Sequence, residues 1–163
     1  MKVLVTGNLG YVGNVLTRIL LQQKIDVIGC DTGFYPQGFL DLEDSKCTQI
    51  KKDIRDLSAE DLKGVSGICH LAALSNDPLG EINPNLTEEI NYKATIRLAK
   101  LAKQAKVEKF IFSSSCSSYG MNENIVNEES KLAPLTAYAK SKVNSEIEIS
   151  KLSDSNFCTT NLR

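Results

Sequence analysis

Short apolar runs alternate along the chain with segments whose apolar residues recur at helical spacing. Five of these runs predict strands, at residues 3–6, 25–30, 67–73, 109–113 and 156–163, and the more polar segment 48–52 predicts another. The helical spacing between them predicts helices, of which the two longest cover about 85–106 and 135–152. Alternating strands and helices predict an α/β fold, in which a mainly parallel, doubly wound sheet has helices on both faces. The expected strand order is 3-2-1-4-5-6.

The first strand leads directly into three glycines spaced three residues apart, Gly7, Gly10 and Gly13. An apolar pattern of helical period follows them. Free N–H groups and the positive end of the dipole make a helix N-terminus an anion site. Gly7 permits the tight turn, Gly10 lets a pyrophosphate approach the backbone, and Gly13 lets the helix pack close to the strand. A glycine-rich turn without a ligand is the plainer interpretation, but strand, turn and helix together favour a Rossmann-type dinucleotide site.

The second predicted strand ends at Asp31, roughly 20 residues beyond the glycines, where a carboxylate can hydrogen-bond the adenosine ribose. That carboxylate would repel a 2′-phosphate, and Thr32 and Gly33 follow it rather than an arginine. The sequence therefore predicts NAD rather than NADP. Residues 32–44, which contain glycine, proline and aromatic residues, predict a surface loop. The Asn, Asp, Pro and Gly of residues 76–80 predict a turn.

The last long helix carries Tyr138 and Lys142, whose spacing of four places them on one helix face. A free tyrosine has a pKa near ~10, too high for a base at neutral pH. A nearby ammonium and a cationic nicotinamide would lower that pKa and make Tyr138 a general base. Such a pair is common on exposed helices, but the glycine turn and Asp31 favour the catalytic interpretation. The serine run 113–118 adds hydroxyls that we expect to point into the ligand crevice.

Composition excludes several classes of partner. A net charge of −1 implies no general attraction to nucleic acid or anionic membranes, and no apolar run approaches the ~20 residues of a membrane span. The chain begins directly with a strand, so we expect no signal peptide. Five dispersed cysteines predict reduced thiols and a cytoplasmic location, with Cys30, Cys69 and Cys158 in the core. The single histidine, His70, is expected to be packed rather than catalytic, and no metal site is expected.

With these motifs in view, the chain resembles the extended short-chain dehydrogenase/reductase family, in its NAD-dependent epimerase/dehydratase group. The matching residues are 6–13, Asp31, Asp53, Ile54, 70–73, Asn91, 112–115, Tyr119, Gly120, Tyr138 and Lys142. The resemblance implies NAD as cofactor and a nucleotide sugar as substrate. By resemblance, a sugar hydroxyl is oxidised by hydride transfer to nicotinamide C4, and hydride can return on the other face.

The resemblance also implies roles for individual residues. Tyr138 would be the base, Lys142 would bind the nicotinamide ribose and tune Tyr138, and Ser115 would hydrogen-bond the reacting sugar oxygen. The implied cofactor-binding residues are Gly7, Asn8, Gly10, Tyr11, Val12, Gly13, Asp31, Asp53, Ile54, Leu71, Ala72, Ala73, Asn91, Ser113, Tyr138 and Lys142. A homodimer through the helices at 85–106 and 135–152 is implied in the same way.

Two departures from the family pattern narrow the prediction. In the 4,6-dehydratases an Asp and a Glu follow the catalytic Thr, whereas Cys116 and Ser117 stand here. An epimerase, a decarboxylase and a reductase stay open, and the serine–cysteine pattern is closest to 4-epimerase-like members. Cys116 is expected to line the pocket, because no adjacent base would activate it as a nucleophile. Family members are also considerably longer, so residues 1–163 are predicted to be the NAD-binding, N-terminal part of a longer enzyme without its C-terminal substrate domain.

A non-catalytic NAD-binding or redox-sensing module is the alternative, because one fold can serve several functions. Such a module would not need Tyr138, Lys142 and Ser115 together. Their joint presence therefore favours an enzyme.

Overall fold

A six-stranded sheet organises the part of the chain that the computed structural model describes, residues 1–34 and 47–163. Most of the predicted loop at 32–44 lies outside these residues. The strands are β1 (Lys2–Thr6), β2 (Asp26–Asp31), β3 (Thr48–Lys51), β4 (Gly67–His70), β5 (Lys109–Ser113) and β6 (Cys158–Leu162). Every neighbouring pair is parallel, and the order is β3-β2-β1-β4-β5-β6. This confirms the predicted Rossmann-type α/β fold and its strand order.

Within these ranges, five α-helices and several shorter helical turns connect the strands. The α-helices are α1 (Tyr11–Gln22), α2 (Asp77–Ile82), α3 (Pro84–Thr87), α4 (Thr95–Gln104) and α5 (Ala137–Ser150). A π-helical turn, Glu88–Ala94, joins α3 to α4, so the single long helix predicted at 85–106 is a composite of three segments. The 3₁₀ turns among the described residues are Ile54–Asp56, Glu60–Leu62 and Cys116–Tyr119.

The prediction of a turn at residues 76–80 is wrong, because that segment begins α2. The Asn76 side chain accepts a hydrogen bond from the Leu79 N–H at 2.8 Å and thereby caps the helix. Pro78 stands in the first turn, where its missing N–H leaves no intrahelical bond unmade. Asn and Pro are typical of both turns and helix starts, so the sequence alone favoured the wrong one.

Alternate residues of the strands pack on opposite faces of the sheet. Leu4 of β1 packs in the larger apolar cluster, with Leu98 of α4 and Ile149 of α5. Val3 and Val5 pack on the other face, where the leucines of α1 cover them. The sheet is thus enclosed by α1 on one face and by α4 and α5 on the other.

The orientation of α1 differs from the one that its apolar pattern indicates. A Cβ at Gly13 would lie 2.0 Å from the Gly7 carbonyl oxygen, so the glycine must face the turn, and Thr17, one turn later, is buried on the same side. This close contact fixes the rotation of the helix. Several members of the apolar pattern remain solvent-exposed: Val12 61%, Val15 37% and Ile19 49%.

Two of the three cysteines predicted for the core are at least partly enclosed. Cys30 is fully buried, which raises the pKa of its thiol to about 12, and Cys69 is half-buried. The prediction for Cys158 is wrong, since it is exposed on β6, an edge strand of the sheet. Across the described ranges, no helix is both long and apolar enough to span a membrane.

Candidate active site

The glycine turn lies where β1 ends and α1 begins. Gly7 has a φ of +72°, and a Cβ there would lie 2.8 Å from the backbone nitrogen of Ala72. The turn is held by hydrogen bonds from Gly7 N to Cys30 O (2.8 Å) and from Gly10 N to Gly7 O (3.1 Å). Gly10 is the N-cap of α1, and in the described ranges no side chain caps the first turn of this helix. Its N–H groups can therefore serve an anion.

Asn8 is buried under this turn and supports it from inside. Its amide exchanges two hydrogen bonds with the Gln49 amide, at 2.8 and 3.2 Å. Gly29 makes room for it, since a Cβ there would lie 2.2 Å from the Asn8 amide nitrogen. The side chain of Asn8 thus points toward β2 and β3, away from the anion site. Of the cofactor contact predicted for Asn8, only one through its backbone fits this orientation. Pattern reasoning missed Gln49, whose role depends on a pairing 41 residues apart.

Asp31 lies beside the glycine turn at the carboxyl end of β2. Its two oxygens accept hydrogen bonds from the N–H groups of Leu9 (3.3 Å) and Gly33 (2.9 Å). The carboxylate is therefore held next to the turn, at the position where a ribose was predicted.

A 3₁₀ turn follows β3 and begins at Asp53 and Ile54, which the resemblance assigns to cofactor binding. Asp53 caps that turn and forms an ion pair with Arg55 at 2.9 Å, which holds the pKa of the carboxyl below its usual range. The Ile54 side chain is buried in the larger apolar cluster. Only the backbone of Ile54 is thus free to face a cofactor.

The segment that follows β4, residues 71–74, is hydrogen-bonded both to β1 and to the π-helical turn. The N–H groups of Leu71 and Ala72 donate to the Thr6 hydroxyl at 3.2 and 3.3 Å. The Asn91 side chain binds Leu74 twice, accepting from its N–H at 2.8 Å and donating to its carbonyl at 3.0 Å. Asn91 therefore supports the segment after β4, and direct contacts of Leu71, Ala72, Ala73 and Asn91 with a cofactor stay predictions.

His70 is packed, as predicted. It is buried between Thr6 (2.6 Å from Nδ1) and Thr95 (2.8 Å from Nε2), and it stacks on Phe112. Because the Thr6 hydroxyl already accepts two backbone N–H groups, its own proton points at Nδ1, which leaves Nε2 as the protonated nitrogen. Burial lowers the pKa of His70 to about 3, so the ring is neutral.

Tyr138 and Lys142 are both buried in the first half of α5, and their exposed fractions are 8% and 3%. The Lys142 ammonium lies 5.7 Å from the centroid of the Tyr138 ring and 4.8 Å from that of Phe112. It donates to the Ser113 carbonyl at 2.8 Å. The two helix residues are thereby fixed against the carboxyl end of β5, where Ser115 follows.

The pKa of Tyr138 is raised, not lowered as the sequence suggested. Its burial is the main cause, Asp77 and Cys116 add to it, and a hydrogen-bonding interaction with Ser115 acts in the opposite direction. Lys142 directs its ammonium to the Ser113 carbonyl, and burial lowers its own pKa to about 8, against a partly compensating effect of Glu146. The hydrogen-bonding interaction with Ser115 thus favours the phenolate.

Only part of the serine run faces the crevice, contrary to the prediction. Ser114 donates its hydroxyl to the buried Glu146, which also forms a bidentate ion pair with Arg163 at 2.6–3.0 Å. Ser117 donates to Asp77 at 2.9 Å, and Ser118 is fully buried. The sequence missed Glu146 and Asp77 because nothing in their local pattern sets them apart from other acidic residues.

Ser115 caps the 3₁₀ turn Cys116–Tyr119, and we call these residues the serine turn. A cavity of about 390 Å³ opens beside it. The side chains around it include Cys116, Tyr119, Asn124, Glu128 and Arg163. Cys116 is exposed and lines this cavity, in agreement with its prediction as a pocket residue. Within residues 1–34 and 47–163, no group of three His, Cys, Asp or Glu side chains could hold a metal ion.

Comparison with known proteins agrees with this geometry. The profile of the NAD dependent epimerase/dehydratase family matches residues 3–163. The chain belongs to this family. The resemblance inferred from the sequence is thereby confirmed, and the cofactor of the family is NAD, as predicted.

Individual relatives are nucleotide-sugar enzymes. The chain is 34% identical over 160 residues to an uncharacterised UDP-glucose epimerase, YtcB of Bacillus subtilis, covering 90% of this chain and 50% of that protein. It is 30% identical to the UDP-glucose 4-epimerase of Lactobacillus helveticus, covering 88% and 44%. The structure of UDP-glucuronic acid 4-epimerase from Bacillus cereus in complex with NAD is similar with a TM-score of 0.88 and 26% identity, covering 100% and 55%. The chain thus spans about half the length of these relatives.

Proposed function

We propose that this chain is the NAD-binding part of a nucleotide-sugar 4-epimerase, which oxidises a sugar hydroxyl transiently and then reduces the ketone. The observation that carries the proposal is the set formed by the buried Tyr138 and Lys142 and the half-buried Ser115. It stands at the same sheet edge as the glycine turn, where open α/β sheets bind ligands. That the relatives named above are epimerases supports the same reaction.

The residues present fit a dinucleotide. The uncapped first turn of α1 would hold the pyrophosphate, with Gly10, Tyr11 and Val12 at its start. Asp31 would bind the adenosine ribose, and the chain around Ala72, which lies against Gly7, would line the cofactor. When bound, NAD supplies the hydride acceptor and donor, and the protein supplies placement and electrostatics.

The proton transfer is assigned to Tyr138 on α5 and to Ser115 of the serine turn. Tyr138 Oη would take the proton of the sugar hydroxyl and return it after reduction, and Ser115 Oγ would hold the reacting oxygen. Lys142 would bind the nicotinamide ribose. Because Tyr138 and Lys142 are almost fully enclosed, bulk water has little access to the phenol before a substrate arrives.

The side chains after Ser115 favour an epimerase over a 4,6-dehydratase. Cys116 presents a thiol to the cavity, and the Ser117 hydroxyl is occupied by Asp77. Neither supplies the carboxylic acid and carboxylate that water elimination needs. A reductase or a decarboxylase would use the same Tyr138, so the products of turnover are needed to distinguish either of them from an epimerase.

The test uses the natural gene product, whose intact mass is measured first. A mass well above 17.9 kDa supports our proposal that residues 1–163 are one half of a larger enzyme. The protein is then incubated with UDP-glucose and related sugar nucleotides, and proton NMR follows the anomeric signals. Epimer formation without net NADH supports the proposal, whereas net reduction, loss of CO₂ or no conversion contradicts it.

Tyr138→Phe is the decisive variant, and Ile82→Ala, which changes an exposed side chain of α2, is its control. We expect Tyr138→Phe to lower kcat by about 10²- to 10⁴-fold while NAD binding survives, because only the proton transfer is lost. Unchanged turnover in Tyr138→Phe would remove this residue from its role. NAD binding without turnover of any sugar nucleotide by the natural protein would favour the non-catalytic module.

The proposed enzyme is a homodimer through the helices at 85–106 and 135–152. A groove of about 520 Å³ on this surface, lined by Tyr92, Ile96 and Leu101, and the half-exposed Ile147 of α5 support this contact. Sedimentation velocity of the natural protein at micromolar concentration tests it, and a monomer would contradict it.

A further inference from the structure

Asp77 connects the two segments that carry the catalytic hydroxyls. One of its oxygens accepts a hydrogen bond from the Ser117 hydroxyl at 2.9 Å, and the other accepts one from the Thr136 hydroxyl. Ser117 lies two residues after Ser115, and Thr136 lies two residues before Tyr138. A single half-buried carboxylate therefore ties the serine turn to the start of α5.

Thr136 and Ser117, the two residues that contact Asp77, are also hydrogen-bonded within α5 and within the serine turn. Thr136 is the N-cap of α5, and its hydroxyl oxygen accepts from the Ala139 N–H at 3.0 Å. In the serine turn, the Ser117 N–H donates to the Ser115 hydroxyl oxygen at 3.1 Å. A shift of Asp77 would thus move both the first turn of α5 and the turn that orients Ser115.

The helix that carries Asp77 also packs directly on Tyr138. A Cβ at Gly80 would lie 2.9 Å from the Cβ of Tyr138, so α2 approaches α5 as closely as a glycine allows. On the same helix, Glu81 accepts from the Ala137 N–H at 2.6 Å. The position of α2 and the position of the phenol are therefore coupled.

We infer that Asp77 is a positioning residue, which sets the relative placement of the Ser115 and Tyr138 hydroxyls by holding Ser117 and Thr136 at once. Its catalytic consequence rests on the function proposed above. A displacement of about 1 Å at a reacting group can cost about 100-fold in rate, so a single tie of this kind has a measurable effect.

The charge of Asp77 has a second, separable effect. It raises the pKa of Tyr138, as does Cys116 from the serine turn, whereas Ser115 lowers it. The cation near the phenol is Lys142 of the same helix, over the face of the ring. Removing the charge of Asp77 while keeping its shape should therefore move the titration of Tyr138 to lower pH.

The test compares variants of the natural protein with saturating NAD and the sugar nucleotide that it converts. We expect Asp77→Ala to lower kcat by roughly 10- to 100-fold without a change in NAD affinity. Asp77→Asn keeps an acceptor and recovers most of kcat, and the acid limb of its kcat–pH profile moves to lower pH. The control is Ile82→Ala, exposed at the other end of α2, which leaves kcat and the pH profile unchanged.

A second measurement does not depend on turnover. The phenol titration of Tyr138 is obtained by ultraviolet difference between each protein and the same protein carrying Tyr138→Phe. A lower midpoint in Asp77→Asn supports the inference, even if no sugar nucleotide is converted and the proposed function fails. An unchanged midpoint, or a kcat within twofold of the parent in Asp77→Ala, overturns it.

Discussion

The Lys142 ammonium lies over the ring of Tyr138, 5.7 Å from its centroid, and donates to the Ser113 carbonyl at 2.8 Å. The spacing of four residues gave these side chains a common helix face, but the packing of α5 on β5 encloses both. Burial lowers the pKa of Lys142 to about 8, from an ordinary value of 10.5. A buried cation held in this way makes the stability of the protein depend on pH.

We expect stability to rise with pH between about 8 and 10.5, relative to a Lys142→Met variant. In that window the unfolded lysine keeps its proton and the folded one has lost it, so folding releases a proton and higher pH favours it. The slope approaches about 1.4 kcal/mol per pH unit. Urea unfolding of both proteins at pH 7 to 10 measures it, with exposed Lys140→Met as the control. A constant difference over this range would contradict the buried ammonium.

Because His70 is buried in its neutral form, we expect the stability of the protein to fall as the pH falls below 6.5. Its folded pKa of about 3 lies below the ordinary 6.5, so its contribution is complete above pH 6.5 and is lost as the pH falls toward 3. Relative to His70→Gln, the wild-type protein should lose up to about 1.4 kcal/mol per pH unit in this window. Urea unfolding at pH 7, 6 and 5 checks this, and parallel profiles would show that the ring is not buried neutral.

Substitutions at Gly13 and Gly10 should separate the effect of a glycine on packing from its effect on NAD binding. A Cβ at Gly13 would lie 2.0 Å from the Gly7 carbonyl oxygen, so Gly13→Ala should destabilise the fold by about 1–3 kcal/mol or more. At Gly10 the nearest atom to a Cβ is 3.3 Å away, so Gly10→Ala should fold normally but bind NAD less tightly. Thermal unfolding and NAD titration measure the two effects. Equal melting temperatures for both variants would refute the assigned roles.

Asp31 is predicted to discriminate between the two dinucleotides. Removing its charge in Asp31→Ser should raise the affinity for NADP relative to NAD by about 10-fold or more, which corresponds to about 1.4 kcal/mol. Its physical basis is the loss of repulsion between the carboxylate and a 2′-phosphate. Calorimetric titration with both dinucleotides gives the ratio. Asp26→Ser, exposed at the other end of β2, is the control, and an unchanged ratio in Asp31→Ser would contradict the ribose contact.

Local patterns were sufficient for the sheet and its order, because most strands are short apolar runs and each crossover must return in the same direction. They failed where one local signal is compatible with two structures. Asn76 and Pro78 begin a helix rather than a turn, and part of the apolar pattern of α1 (Val12, Val15 and Ile19) is exposed while its leucines cover the sheet. The contact between Gly13 and Gly7 outweighs hydrophobic periodicity there, because overlap of atoms costs more than exposure of a few methyl groups.

The sequence by itself determined the α/β fold, the glycine turn, Asp31 and the spacing of Tyr138 and Lys142, since all of these follow from residues close together in the chain. The tertiary structure decided the electrostatics and the support of the site. It raised the pKa of Tyr138 by burial, turned Ser114 toward Glu146 and Ser117 toward Asp77, and placed Gln49 under the glycine turn. These contacts join residues about 30 to 40 positions apart, and only the folded sheet brings them within hydrogen-bonding distance.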